Sequence, residues 1–215
     1  MEEKKRNWEK GTAAPIPSKK YEKFKETLAE SSKKYSDRNV MLFVLARATG
    51  FRMGDLVELT IGQLKDATNE GYLIIQESKQ YKLWLANLNR YPNKKKPSKR
   101  SAQIGSNLEQ YLREYVKGKK RSEYAFPSNK GKDEPIEAKS YSFILKSVGE
   151  QLGLKHISGH SPRKTYATRI YEKSGGNLEQ VRIALNHQSI EETKLYLGIK
   201  EKMKEDASKM ADEDI

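Results

Sequence analysis

The stretch Leu185-Asn186-His187-Gln188-Ser189-Ile190-Glu191-Glu192-Thr193-Lys194-Leu195-Tyr196 sets a histidine nine residues ahead of a tyrosine. Between them Ser189 and Glu192 stand three apart, the spacing of a capping box. In that device a serine oxygen and a glutamate satisfy the free N–H groups of a helix start. The pattern predicts a helix that opens at Ser189 and carries Tyr196 about two turns along. Alone, it has an ordinary explanation, because a tyrosine on an amphipathic helix is commonly half-buried packing. Whether Tyr196 does chemistry depends on partners elsewhere in the chain.

The nearest upstream signal is His160-Ser161-Pro162-Arg163. A helix starting near Ser161 tolerates Pro162 in its first turn and puts His160 and Arg163 on one face. Free N–H groups at a helix start favour an anion, and a guanidinium suits bidentate phosphate contact. That helix should run to Gly175-Gly176, and Asn177 should cap a short helix through Val181 and Leu185.

Working back toward the start, Tyr21, Phe24 and Leu28 recur at helical spacing and predict a helix to about Lys34. Ser36 is placed to cap a more buried helix through Val40, Phe43, Val44 and Ala48, ended by Gly50. A further turn or two follows through Gly54 to Leu59. Tyr72–Ile75 and Lys82–Ala86 read as strands with Ser78-Lys79-Gln80 at the bend, and Ser101–Ile104 reads as a third strand. Residues 89–100 read as a polar loop in which Lys94, Lys95, Lys96, Lys99 and Arg100 are solvated. Leu108, Tyr111, Leu112 and Tyr115 predict a helix stopping at Gly118, and Tyr141, Ile144, Leu145, Val148 and Leu152 another. The expected fold class is mostly α with a small antiparallel β-sheet. Residues 1–18 read as a mobile arm or linker remnant, 19–198 as the main folded domain and 199–215 as a tail.

Composition narrows the chemistry. The chain has 215 residues, a formal charge of +13, and a sequence pI near 9.6. A polyanionic partner follows, with nucleic acid first and an anionic membrane surface second. No cysteine is present, which excludes disulfides, zinc–thiolate sites and cysteine nucleophiles. With three histidines, a catalytic metal would need carboxylate ligands. No apolar run reaches the length of a membrane span, and no signal peptide is evident, so a cytoplasmic location is expected.

Taken in order, Thr49-Gly50-Phe51-Arg52-Met53-Gly54-Asp55-Leu56, His160-Ser161-Pro162-Arg163, Leu185-Asn186-His187 and Tyr196 resemble the tyrosine recombinase (phage integrase) family. The Phe126-Pro127-Ser128 connection is similar too, and the resemblance runs from about Ser36 to Leu197. It implies that Arg52 and Arg163 bind the scissile phosphate, with Asp55 a structural partner behind Arg52. It implies proton transfer by His160, a hydrogen bond from His187 to a non-bridging oxygen, and Tyr196 as nucleophile. The family protonates the leaving 5′ oxygen with a lysine on a β-hairpin. Ile75-Gln76-Glu77-Ser78-Lys79 looks like that hairpin, which implies Lys79, with Lys94, Lys95 and Lys96 as rivals. Lys164 departs from the pattern, since many relatives carry a histidine there, and so does Gly54.

The implied chemistry is physically coherent. Attack on a phosphodiester builds negative charge that fixed guanidinium groups stabilise. A phenol near pKa 10 needs a base or a strongly positive site to attack at pH 7. The leaving alkoxide needs an acid, and a lysine amid cations can supply one. A phosphotyrosyl link conserves the energy of the broken bond, so neither ATP nor metal cofactor is expected. The expected partners are double-stranded DNA and other copies of the chain, as a tetramer on DNA. Residues 200–215 carry four basic and six acidic residues, and by resemblance this tail docks on a neighbouring protomer. Family members carry a separate N-terminal helical domain, so the chain reads either as a catalytic piece or as a minimal branch. Two alternatives stay open here: a catalytically silent DNA-binding relative and a type IB topoisomerase-like relaxing enzyme.

Overall fold

A computed structural model describes residues 13–131, 133–199, 207, 208 and 210–212. The spine is α2 (Ser36–Thr49), a helix apolar on nearly every face, as expected for one surrounded by protein. Around it pack α1 (Tyr21–Glu30), α6 (Ser106–Val116) and α8 (Ser161–Lys173). The other helices are α3 (Met53–Leu56), α4 (Ile61–Glu70), α5 (Ser78–Asn87), α7 (Ala138–Gln151), α9 (Leu178–Leu185) and α10 (Ile190–Leu197). Two antiparallel strands, β1 (Tyr72–Ile75) and β2 (Arg100–Gln103), pair with Ile75 opposite Arg100.

The main core joins Phe24 and Leu28 of α1 to Leu42, Phe43 and Leu45 of α2. It continues through Phe51, Leu64, Leu73, Leu112, Phe126 and Tyr141, all fully or almost fully buried. Each such side chain contributes about 1.5–3 kcal/mol by leaving water. A second, smaller cluster lies under the end of the chain. Ala167, Val181 and Leu185 form it, and Tyr166, Ile170, Tyr196 and Leu197 pack against it. Within the stretch expected to be an arm, Ile16 is buried and its N–H donates to Thr165 Oγ1 at 2.8 Å.

The local signals near the end of the chain hold. Ser189 Oγ accepts from Glu192 N, and Glu192 Oε2 accepts from Gln188 N, so α10 starts where the capping box put it. Asn177 caps α9 through Gln180 N. Gly50 takes φ +64° to end α2, and a Cβ there would meet the Tyr166 ring at 2.3 Å. Only glycine satisfies both demands at that position.

The middle of the chain departs from expectation. Lys82–Ala86 is helix, not strand. It lies in α5, and the sheet has two strands rather than three. The alternation Lys82-Leu83-Trp84-Leu85 imitates a strand, but among the described residues no partner strand lies beside it. Trp84 Nε1 instead donates to Lys94 O at 2.7 Å. The connection between β1 and β2 is therefore a long excursion rather than a hairpin. Helix α4 was not anticipated, although Thr60 and Gln63 form a full capping box at its start. Ser36 is the first residue of α2 and caps nothing, and α1 ends at Glu30, short of Lys34. Arg100, expected in solvent, is buried, whereas Lys94, Lys95 and Lys96 are exposed. The tail expected to dock on a neighbouring protomer lies mostly outside the described residues. No helix among the described residues is long and apolar enough to cross a membrane.

Candidate active site

Arg52 sits where α2 has ended and α3 begins. Phe51 beside it is buried and ties the segment down. Arg52 Nη1 donates to Glu77 Oε1 at 2.5 Å, and its side chain keeps 23% of its surface. Asp55, expected as a structural partner behind Arg52, makes no ion pair with it among the described residues. Asp55 Oδ1 accepts instead from Ser78 N at 2.9 Å and so holds the first turn of α5. Glu77 is the carboxylate that meets Arg52.

Arg163, in the first turn of α8, is almost fully buried. Nη1 donates to Gly50 O, Nη2 donates to Leu185 O at 2.9 Å, and Nη1 lies 3.6 Å from Glu77 Oε1. Two backbone carbonyls thus fix its plane, which only a forked guanidinium can satisfy together. Burial, followed by the charge of Arg52, pulls its pKa down to about 10, which leaves it charged at pH 7. Both arginines touch one oxygen, so their Nη1 atoms are no more than about 6 Å apart. Their repulsion is then on the order of 3 kcal/mol at an effective dielectric of about 20, and Glu77 offsets it.

His160 is the N-cap residue of α8, held by its N–H to Ser158 Oγ. It is exposed at the rim of a cleft whose lining includes Arg52, Lys79, Lys82 and Gly159. Partial loss of water lowers its pKa, and the charges of Arg163, Arg52 and Lys79 lower it further. Lys79 shares this cleft from the first turn of α5, not from a hairpin turn.

His187 follows Asn186, which ends α9 in the left-handed conformation at φ +55°, one that asparagine tolerates better than most residues. The His187 ring is buried, and its Nδ1 lies 3.1 Å from Thr193 Oγ1. Burial lowers its pKa, Glu192 opposes, and Arg163, Arg52 and Arg100 add to the drop, to about 4. The ring is therefore neutral at pH 7. It meets the Tyr196 ring edge-on, with centroids 5.2 Å apart. The Tyr196 hydroxyl is buried and makes no well-formed hydrogen bond among the described residues, with the Arg163 guanidinium close beside it. Burial raises its pKa, while Arg163 and then Arg52 pull it back. Lys164 Nζ donates to Tyr196 O and lies 5.4 Å from the centre of its ring. The lysine thus sits at the negative end of α10, where a cation is favoured.

All six residues singled out in the sequence meet at one end of α2: Arg52, Lys79 and His160 around the cleft, Arg163, His187 and Tyr196 beneath it. Lys94, Lys95 and Lys96 are exposed and are not among the residues that line the cleft, although Lys96 Nζ lies 5.1 Å over the Tyr81 ring of α5. Sequence reasoning missed two buried charges. Glu77 continues the inward-facing parity of Leu73 and Ile75, and an acid at that position of a strand was a usable signal. Arg100 lies opposite Ile75, donates to Ala184 O at 3.0 Å and to Thr49 O at 2.6 Å, and stacks 4.2 Å over Phe51.

The phage integrase family's sequence pattern matches residues 16–203. The chain is 31% identical over 188 residues to the probable integrase/recombinase YoeC of Bacillus subtilis (strain 168), covering 87% of this chain and 90% of that one. It is 26% identical over 165 residues to the tyrosine recombinase XerC of Herpetosiphon aurantiacus, spanning 75% of this chain but only 48% of that one. Among solved structures, the Tn1549 transposon integrase in complex with transposon right end DNA superposes with a TM-score of 0.63 at 16% identity, over 91% of this chain and 66% of that one. XerH bound to palindromic difH substrate gives 0.62 at 19%, over 94% and 54%. A lambda integrase dimer bound to a COC′ core site gives 0.60 at 20%, over 88% and 60%. At these identities the structural likeness is one of fold. The sequence match over most of the chain carries the further conclusion that it belongs to the phage integrase family of tyrosine recombinases.

Proposed function

We propose that this recombinase cleaves and rejoins double-stranded DNA with Tyr196 as nucleophile, through a covalent 3′-phosphotyrosyl intermediate. The observation that carries the reading is the Tyr196 hydroxyl, buried with no well-formed hydrogen bond among the described residues and lying beside Arg163, within the field of Arg163 and Arg52. A buried hydroxyl without a well-formed hydrogen bond is costly, and a phosphate between the arginines would give it a reaction to perform. In this reading Arg52, from its open edge, and Arg163, from below, bind the non-bridging oxygens. His187 donates from Nε2 to one of them. That tautomer requires the single Thr193 hydroxyl proton, which lies within reach of both Ser189 O at 3.2 Å and His187 Nδ1 at 3.1 Å, to be given to Nδ1 when phosphate binds. His160, its pKa lowered and its ring open to the cleft, takes the phenol proton. Lys79 protonates the departing 5′ oxygen from the other side of the cleft.

The basic surface supplies the grip on the duplex. If about six phosphates are contacted, affinity falls with salt at a log–log slope of about −5. Related structures at similar fold are recombinases bound to DNA, and strand exchange between two duplexes calls for four protomers, so we propose a tetramer in the synaptic complex. A soluble protein acting on DNA in the cytoplasm fits this chemistry.

To test the reading, protein made in cells is denatured rapidly and the DNA covalently attached to it is sequenced. One recurrent sequence is expected with the native chain and none with Tyr196→Phe. No attached DNA, or attachment that survives Tyr196→Phe, contradicts it. Attachment scattered over unrelated sequences favours the topoisomerase-like reading.

A further inference from the structure

Glu77 is the least expected member of the site. Its carboxylate is only 1% exposed, yet it meets three polar groups from three separate parts of the chain. Oε1 is 2.5 Å from Arg52 Nη1 and 3.6 Å from Arg163 Nη1, and Oε2 accepts from Asn186 Nδ2 at 3.3 Å. The Asn186 amide also donates to Gln80 Oε1, and Gln80 Nε2 returns a bond to Asn186 O, both at 3.2 Å. One acid, two residues past β1 at the N-cap of α5, thus joins the segment after α2, the first turn of α8, and the turn between α9 and α10. Those are the segments that carry Arg52, Arg163 and His187.

We propose that Glu77 is a positioning residue for strand cleavage: it sets the spacing of Arg52 and Arg163 and, through Asn186, the turn that presents His187. The proposal rests on the reading that this cleft receives the scissile phosphate. A buried acid between two arginines has another conceivable role, as an internal stand-in that a phosphate must displace. Two observations argue against that role. The carboxylate is closed off from solvent while Arg52 keeps an open edge, and the cleft is lined by Arg52, Lys79 and His160 but not by Glu77. Glu77 therefore backs the arginines from the protein side and leaves their outer donors for a ligand. Small displacements matter here, because a misplacement of about 1 Å can slow a positioned reaction about 100-fold.

The test compares the native chain, Glu77→Gln and Glu77→Asp on a nicked duplex bearing the sequence recovered on the native protein in cells. The glutamine retains the size and the contact with Asn186 but not the charge, whereas the aspartate retains the charge but falls short. Adduct formation at saturating DNA should drop about 10- to 100-fold in Glu77→Gln. DNA affinity should stay within about twofold or tighten, because the site gains net positive charge. Glu77→Asp should recover part of the rate. Adduct formation equal to or faster than native overturns the proposal and favours the stand-in. A rate loss that merely tracks weaker DNA binding and lower melting temperature overturns it too. A second measurement needs no DNA substrate: the guanidinium N–H resonances of Arg52 and Arg163 should be sharp in the native chain and broadened in Glu77→Gln. Unchanged resonances contradict the positioning role. A native chain that forms no adduct contradicts the function proposed above, and the resonances then decide the role of Glu77 alone.

Discussion

The two sides of the cleft are built differently. On one side Arg163 is pinned by two backbone carbonyls and a buried acid, Arg52 by the same acid, and Arg100 by two carbonyls and a phenyl ring. On the other, α5 buries no residue at all and meets the body through Ser78 N to Asp55 and the paired amides of Gln80 and Asn186. Charges that we propose meet a phosphate at one spot are over-determined. The lysine that we propose to deliver a proton stands on an element held by its first turn. The contrast teaches that the arginine side should tolerate almost no change, whereas α5 should tolerate much except at Lys79.

The largest effect is expected on the pinned side. Arg163→Lys keeps the charge but cannot serve Gly50 O and Leu185 O together. Adduct formation should fall by at least about 100-fold, and chemical denaturation should reveal a stability loss of about 1–3 kcal/mol from the unpaired carbonyls. Activity within a few-fold of native would break the contrast at its stronger end. Next comes Lys79→Ala, with a loss of about 100-fold on ordinary DNA and an unchanged melting temperature. A substrate with sulfur in place of the 5′ bridging oxygen should restore the rate, since a thiolate leaves without a proton. If that substrate instead rescues alanine variants of Lys94, Lys95 or Lys96, the acid lies farther along the connection.

A smaller effect concerns His187. Its pKa is depressed from 6.5 to about 4 in the folded chain, so between those values the unfolded chain binds more protons. Stability from this group is complete above about pH 6.5 and is lost as the pH falls toward 4, by up to about 3 kcal/mol. Denaturation curves across that range, compared with His187→Gln, should separate this contribution from the carboxylates. Parallel curves for the two proteins would mean that the buried ring does not resist protonation. Smallest of all is Trp84→Ala, which loses the bond to Lys94 O at the far end of α5. Stability should change by less than about 1 kcal/mol. A larger loss would show α5 to be as firmly built as the arginine side.

The same division governs how much could be read from the sequence. Ser189, Asn177 and Gly50 act on backbone groups a few residues away, so their helix ends were legible, and the tyrosine helix began where its capping box put it. The two arginines, two histidines, Lys79 and Tyr196 were singled out by motif, and the fold gathers them at one end of α2. Helix α4 is legible in principle through the capping-box spacing of Thr60 and Gln63. Helix α5 was misread because alternation in Lys82-Leu83-Trp84-Leu85 fits a strand, and only the absence of a partner strand among the described residues decides otherwise. Glu77 and Arg100 were hidden for a different reason. Their partners are 25 to 109 residues away in sequence, and burial turns what looks like a solvated charge into a structural one.

The most direct test of the central claim is chemical. Covalent protein–DNA adduct from the native chain is digested with protease and nuclease, and the peptide bearing a nucleotide is fragmented by mass spectrometry. The account predicts a single modified peptide with a 3′-nucleotide on the oxygen of Tyr196. A nucleotide on any other side chain, or a 5′ linkage to Tyr196, would contradict it.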